Sequence, residues 1–346
     1  MSLFQILALS RGFILHALQH PLDALLSFGP TLNEATFGLM GTTFDPTRDI
    51  GDLSGKVILV TGGNAGLGKE TVLQLALHNP SRIYLAARDA VKAREAISSI
   101  QETLTSPVDI RHLSLDLSSF KSIREAVVKF CSNCDRLDLL ILNAGTMGNP
   151  PQLTEEGFEI QFGTNHIGHF LFTKLLLPTL QRTATTTNRD RVSDVRVVTV
   201  SSAANLIAPP FEVMTSTSAL LAAHTMKRYG ASKAANILFA SELARRCPDI
   251  LSVSVHPGAV TSELYRYAPT IHPFAKVTLS VISGFFRSTR TGASNQLWVA
   301  TTARDELTNG DYYVPIGVCG STGYTKDADM ARQLWEWTEE QISTRS

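Results

Sequence analysis

From Lys56 onward the chain alternates short apolar runs with longer stretches in which apolar positions recur every three or four residues. The runs Lys56–Thr61 (KVILVT), Arg82–Ala87 (RIYLAA), Val108–Leu115, Leu137–Leu142 (LDLLIL), Val195–Ser201 (VRVVTVS) and Leu251–His256 (LSVSVH) predict strands, with a last short one at Asp311–Val314. Helical spacing predicts helices near 67–79, 89–104, 119–133, 155–180, 229–246 and 291–303. The strands are near-continuously apolar, as strands are when helices cover both faces of a parallel sheet. Strand–helix alternation over this length predicts an α/β, doubly wound fold with a mostly parallel sheet and right-handed crossovers.

Two parts fall outside that pattern. Residues 1–50 form an N-terminal extension, and residues 51–346 are expected to form one domain. Within the extension, residues 3–28 are Leu-rich but interrupted by Arg11, His16, Gln19, His20, Pro21 and Asp23. Leu7, Ile14, Leu18, Leu22 and Leu25 share one helical face, with Gln5, His16, Gln19 and Asp23 opposite. The stretch is too polar to span a bilayer and lacks the flanks of a secretory signal. Its amphipathic face suits packing on the protein's own surface or, alternatively, peripheral contact with a membrane. The second part, Ser262–Arg290, carries Tyr265, Tyr267, Phe274, Phe285 and Phe286 among few charges. It follows the sixth strand, where ligands of open α/β sheets bind, so it is a candidate wall for a lipophilic substrate.

Composition narrows the function. Hydrophobic residues make up 44% and charged residues 18%, which supports a packed core. The formal net charge is zero, so no broad basic field points to nucleic acid. Cys131 and Cys134 form a lone C-x-x-C with no further ligands at zinc spacing, and no metal site is expected. Their position after a helical pattern and before a strand reads as two helix-end cysteines. Four cysteines in all fit a reducing, cytoplasmic compartment, with membrane association resting on residues 3–28 alone. Nothing in the pattern selects an oligomeric state.

The stretch TGGNAGLGKE at 61–70 reads in two ways. From Gly63 it spells G-x-x-x-x-G-K, most of a triphosphate-binding loop. The hydroxyl that would hold magnesium is replaced by Glu70, which would repel phosphate. From Gly62 it spells a glycine turn between a strand and a helix. Gly62 permits the sharp turn, Gly66 lets backbone approach a pyrophosphate, and Gly68 lets the helix sit close to the sheet. On this reading Gly63 and Lys69 are incidental.

The second strand ends at Ala87-Arg88, where an NAD site would place Asp or Glu for the ribose hydroxyls. Arg88 can instead pair with a 2′-phosphate, so NADP(H) is the expected cofactor. RYGASKAAN then places Tyr229 and Lys233 four apart at the head of a helical pattern, on one face. An ammonium beside a phenol favours phenolate and brings the tyrosine's pKa toward working pH. Ser201-Ser202 closes the fifth strand, and Asn165 lies inside a predicted helix.

Together these motifs resemble a classical short-chain dehydrogenase/reductase, in the branch that includes retinol dehydrogenases and light-dependent protochlorophyllide reductases. The resemblance covers roughly residues 54–343. It rests on T-G-G-N-A-G-L-G at 61–68, L-D-L at 115–117, N-A-G at 143–145, N-H-I-G-H-F at 165–170, S-S at 201–202, Y-G-A-S-K at 229–233 and H-P-G at 256–258. It implies a Rossmann domain and hydride exchange between nicotinamide and a lipophilic carbonyl or alcohol. A ketone or aldehyde reductase of secondary, retinoid-like or steroid-like metabolism fits that description. It further implies Tyr229 as proton donor, Lys233 lowering its pKa and bonding the nicotinamide ribose, Ser202 polarising the carbonyl, and Asn165 holding a water in the proton relay. Cofactor contacts would come from Gly62, Asn64, Gly66, Leu67 and Gly68 at the pyrophosphate, and Arg88 at the 2′-phosphate. Asp116 and Leu117 would lie at the adenine, with Asn143, Ala144 and Gly145 on the adenosine side. Pro257, Gly258, Val260 and Ser262 would lie at the carboxamide.

Serine stands at 262 where the family usually has threonine. The stretch from Ser202 to Tyr229 is long, so residues 208–228 form an insertion beside the site. The alternative function is a catalytically idle nucleotide sensor or scaffold on the same fold. Such proteins often lose the tyrosine or lysine, and this chain keeps both.

Overall fold

Val57–Thr61 (β1) is buried at every position, because the central strand of a sheet covered on both faces has no solvent side. The chain then turns into Gly66–Ala76 (α1) and alternates through Arg82–Ala87 (β2), Ala90–Gln101 (α2), Ile110–Ser114 (β3), Phe120–Asn133 (α3) and Leu139–Leu142 (β4). The computed structural model describes residues 43–185, 187–188, 191–192, 194–258, 260, 288–320 and 323–345. The stretch 3–28, residues 262–287 and therefore Ser262 lie outside the described residues.

The second half adds Gly168–Thr185 (α4), Arg196–Val200 (β5), Thr225–Arg246 (α5), Leu251–Val255 (β6), Thr289–Thr301 (α6), Tyr312–Val314 (β7), Val318–Cys319 (β8) and Ala328–Thr344 (α7). The eight strands lie in the order β8-β7-β6-β5-β4-β1-β2-β3. All neighbours are parallel except β7 and β8. The strand order reverses between β1 and β4, so their carboxyl ends open the crevice in which such sheets bind ligands. Edge strand β3 differs from the central ones: Arg111 and Ser114 are exposed between buried positions.

The helices divide between the faces. One apolar core joins the sheet to α1, α2 and α6, and the other joins it to α3, α4, α5 and α7. Helix α7 was not anticipated from the sequence. It buries Ala331, Leu334, Trp335, Thr338 and Ile342 along one stripe. Trp335 meets Phe170 of α4 edge-on at 4.6 Å and stacks on Phe239 of α5 at 5.9 Å between centroids.

Two expected helices have different starts. The 155–180 helix begins only at Ile160, because Leu153 and Glu159 pair as an isolated antiparallel bridge just before it. The Tyr229 helix begins at Thr225, capped by His224, which puts Tyr229 in its second turn. The expected insertion 208–228 folds into two short helices, Phe211–Met214 and Thr217–Ala222, but its last residues, Thr225–Arg228, are the first turn of α5. Cys131 lies in the last turn of α3 and Cys134 caps it; both are free thiols.

Candidate active site

The glycine turn lies directly after β1. Gly62 and Gly66 have φ of 67° and 52°, a region that side chains disfavour. A Cβ on Gly68 would sit 2.2 Å from the Gly62 carbonyl oxygen and 2.5 Å from Asn143 Nδ2, so only glycine lets α1 pack this closely on the turn. Ala65 supplies no side-chain cap to α1, so the N–H groups of its first turn face the crevice without a side-chain acceptor. Such a terminus suits an anion. Gly63, expected to be incidental, is closely packed. A Cβ there would lie 2.8 Å from Leu85 Cγ and 3.2 Å from Val72 Cγ2, so the position has a packing reason to be glycine. Lys69 donates to Ser99 Oγ at 3.0 Å, on α2.

At the end of β2, Arg88 is exposed and Asp89 follows it. Asp89 is the nearest acid, but it caps α2, accepting from Val91 N and Lys92 N. The bond from Lys92 N, with that from Val91 N, holds its carboxyl below the usual range. Its carboxylate is therefore committed to the helix, and Arg88 is left as an exposed charge directly after β2. Past β3, Asp116 Oδ1 accepts from Ser118 N and Ser118 Oγ. Leu117 is buried, and its carbonyl oxygen would lie 2.2 Å from a Cβ on Gly168.

Beyond β4, Asn143 Nδ2 donates to the Thr61 carbonyl at 2.9 Å, tying the N-A-G loop to β1. The helix opposite widens into a π turn at Gly163–Ile167 before continuing as α4. Single π turns recur at functional sites because they re-aim one side chain. Here it is Asn165, fully buried. Its Oδ1 accepts from Thr146 N at 2.8 Å, and its Nδ2 donates to Thr146 O and Ser232 Oγ, both at 3.0 Å.

The backbone carbonyl of Asn165 accepts from His169 Nδ1 at 2.9 Å, which fixes the ring's tautomer. Burial, helped by the charge on Lys233, lowers the His169 pKa to about 4, so the ring is neutral at pH 7. Nε2 must then accept, and Thr61 Oγ1 donates to it at 2.9 Å while accepting from Ala144 N at 3.0 Å. One chain of bonds thus runs from the N-A-G loop through β1 to Asn165. Sequence reasoning passed over Thr61 and His169, although both lie inside quoted motifs.

Tyr229 and Lys233 are both buried on α5, and Lys233 Nζ lies 5.5 Å from the Tyr229 ring centroid. Nζ donates to the Val200 carbonyl at 2.9 Å. A Cβ on Gly145 would be 3.7 Å from Lys233 Nζ and 3.4 Å from Asn165 Oδ1, so these three residues meet in one place. Ser202 starts a 3-10 turn, Ala203–Ile207, its Oγ accepting from Ala204 N at 3.2 Å. That leaves the hydroxyl hydrogen for another acceptor. The turn lies against α5 at Gly230, where a Cβ would come 2.6 Å from Ala204 O.

Burial pushes the Lys233 ammonium down to about 7. A depressed lysine pKa has a definite sign. Between about 7 and the ordinary 10.5 the unfolded chain holds a proton that the folded chain lacks. Stability relative to Lys233→Met should therefore rise as pH increases through that window and level off below it. Urea unfolding of the cofactor-free proteins across this range checks it; a flat difference would place Lys233 at its ordinary pKa.

On the far side, Gly258 has φ 87° and Val260 is buried. A Cβ on Gly292 of α6 would lie 2.3 Å from Val260 Cγ2 and 2.8 Å from Leu67 Cδ2. Val260 and Leu67, from motifs almost 200 residues apart, thus close on the same point of α6. His256, before Pro257, is buried and held neutral by burial and then by Lys233, with a pKa of about 3.

The short chain dehydrogenase family profile matches residues 56–270. A short-chain dehydrogenase/reductase of Armillaria gallica is 40% identical over 297 residues, covering 84% of this chain and 92% of that protein. Retinol dehydrogenase 12 of Mus musculus is 37% identical over 287 residues, covering 82% of this chain and 85% of the relative. A solved structure from Mycobacterium paratuberculosis aligns with a TM-score of 0.64 at 29% identity, covering 88% of this chain and 98% of that one. The chain belongs to the short-chain dehydrogenase family of oxidoreductases, in the branch that holds the retinol dehydrogenases.

Proposed function

We propose that this protein is an NADP(H)-dependent oxidoreductase that reduces a lipophilic ketone or aldehyde and can run in reverse on the alcohol. The observation that carries this reading is the meeting of Asn165, Gly145 and Lys233 beside Tyr229, at the carboxyl ends of the central strands. The fit of a dinucleotide rests on the positive-φ glycine turn and on the α1 terminus that no side chain caps. Arg88 and the committed Asp89 favour NADP(H) over NAD(H). Arg88→Asp should reverse that preference in initial rates with the two cofactors; an unchanged ratio would mean another residue reads the 2′-phosphate.

Gly62, Asn64, Gly66, Leu67 and Gly68 would hold the pyrophosphate, and Asp116, Leu117 and Asn143–Gly145 the adenosine side. Lys233 would bond the nicotinamide ribose, and Pro257, Gly258, Val260 and Ser262 the carboxamide. When bound, the nicotinamide supplies or accepts the hydride. Tyr229 gives its phenolic proton to the carbonyl oxygen as negative charge develops there. Ser202 donates its hydroxyl hydrogen to the same oxygen and fixes its direction. Lys233 favours phenolate once the proton has left, and Asn165 orders the route by which it is replaced.

A lipophilic substrate is supported by the retinol dehydrogenase relatives and by exposed Leu206 within the turn that Ser202 starts. The 208–228 insertion would shape the pocket. The extension 1–50 would be an appendage to the 51–346 domain. NADPH oxidation with a panel of lipophilic aldehydes and ketones, retinal among them, tests the reading. NADPH binding with no turnover across the panel would point to an idle sensor instead.

A further inference from the structure

Glu159 and Arg228 form an ion pair at 3.0 Å, with side chains 0% and 2% exposed. Burying two charges this deeply costs free energy that the mutual attraction offsets only when the remaining hydrogen-bonding sites are filled. Most are. Glu159 Oε2 accepts from Gln161 N at 3.0 Å and Phe162 N at 2.8 Å, at the start of the helix that carries Asn165. Arg228 Nη1 donates to Glu159 Oε1 and Nη2 donates to the Asn149 carbonyl at 2.8 Å. Arg228 precedes Tyr229 on α5.

Other bonds fasten the same junction. Thr225 Oγ1, in the first turn of α5, also donates to Asn149 O, at 3.1 Å. Gln161 Nε2 donates to Thr225 O at 3.1 Å, and Gln161 Oε1 accepts from Gly148 N at 3.0 Å. Thr146 Oγ1 donates to Asn149 Oδ1 at 2.6 Å, and the Thr146 backbone holds both ends of the Asn165 amide. A continuous path therefore leads from Arg228 through Asn149 and Thr146 to Asn165.

An apolar pair of similar volume could stabilise a core as well as a buried ion pair does. What the guanidinium adds is a rigid fork whose two nitrogens meet two acceptors in a fixed geometry, which a lysine's single nitrogen does not impose. We propose that Glu159 and Arg228 are positioning residues, holding the 146–149 loop so that the Asn165 amide and the Tyr229 helix keep their mutual placement. Neither touches substrate. The inference rests on the reading of Asn165 and Tyr229 as working groups.

The test compares Arg228→Lys, Thr146→Val and Glu159→Gln with wild type and Tyr229→Phe, using NADPH and retinal. Arg228→Lys keeps the charge but loses the fork; its kcat should fall about 100-fold, as for a misplacement of about 1 Å. Thr146→Val cuts the path without disturbing the ion pair and should lose about 10-fold in kcat. In both, KM for NADPH and NADPH binding by fluorescence titration should stay as in wild type. Glu159→Gln leaves Arg228 uncompensated, and a failure of that variant alone to fold agrees with the proposal.

Wild-type kcat in both Arg228→Lys and Thr146→Val, with only the melting temperature lowered, would overturn the positioning role. Inactive Tyr229→Phe beside them would leave the functional reading standing. A fully active Tyr229→Phe, or a wild type inert toward retinal and the rest of the carbonyl panel, would overturn the functional reading and this inference with it.

Discussion

Tyr229→Phe is expected to lower the turnover of a carbonyl substrate by about 1,000-fold, the scale of a lost general acid. The change removes one oxygen from a ring that is 4% exposed and leaves the ring's packing as it was. Lys233 would still lie 5.5 Å from the ring centroid and would still bond the Val200 carbonyl. NADPH binding should therefore survive, which separates this outcome from general damage to the site. Steady-state NADPH oxidation and a fluorescence titration on the same sample decide it. Full activity would mean that some other group delivers the proton.

Gly68→Ala is expected to act on the opposite half of the reaction, by weakening the cofactor site. The added methyl would come 2.2 Å from Gly62 O, so α1 or the turn must move. The helix is not free to retreat. Thr71 Oγ1 donates back to Leu67 O at 2.7 Å, and Gln296 of α6 donates to the same hydroxyl. Overpacking of this kind costs about 1–3 kcal/mol, or about 5- to 150-fold in an equilibrium constant. The dissociation constant for NADPH should rise within that range while the far-UV circular dichroism stays native. An unchanged constant would show that the turn does not hold the pyrophosphate.

Most of the sheet was legible in the sequence because its central strands are buried on both faces. VILVT and LLIL leave no polar position to dilute the signal. Edge strand β3 was legible too, but its bounds shrank to Ile110–Ser114, where pairing with β2 ends. Helix α7 escaped because its apolar stripe is narrow and set among Arg332, Glu336, Glu339 and Glu340. Only the rings of Phe170 and Phe239 show what that stripe is for.

In the candidate site, the motifs pointed to residues and the fold shows how each is held. Asn165 was singled out as a polar residue in a helix; that the helix opens into a π turn there depends on packing no periodicity records. Gly163 opens that turn and Gly168 closes it; a Cβ on the first would collide with Thr154 and on the second with the Leu117 backbone. The Thr61–His169 link was hidden for a similar reason. It joins positions 108 residues apart, and its direction follows from a tautomer that the Asn165 carbonyl sets.

The last helix carries a consequence for how the protein comes into being. His166, next to Asn165, is held neutral by burial and donates from Nε2 to Thr338 Oγ1, which itself donates to Leu334 O. That contact spans 172 residues of chain. During synthesis every motif of the candidate site leaves the ribosome before α7 does, and contacts of such separation form late in folding. A nascent chain halted before Ala328 would hold every residue of the candidate site and lack the backing of the turn that carries Asn165. Helix α7 thus joins the candidate site last and touches none of its reacting groups, yet the support behind Asn165 is incomplete until it arrives.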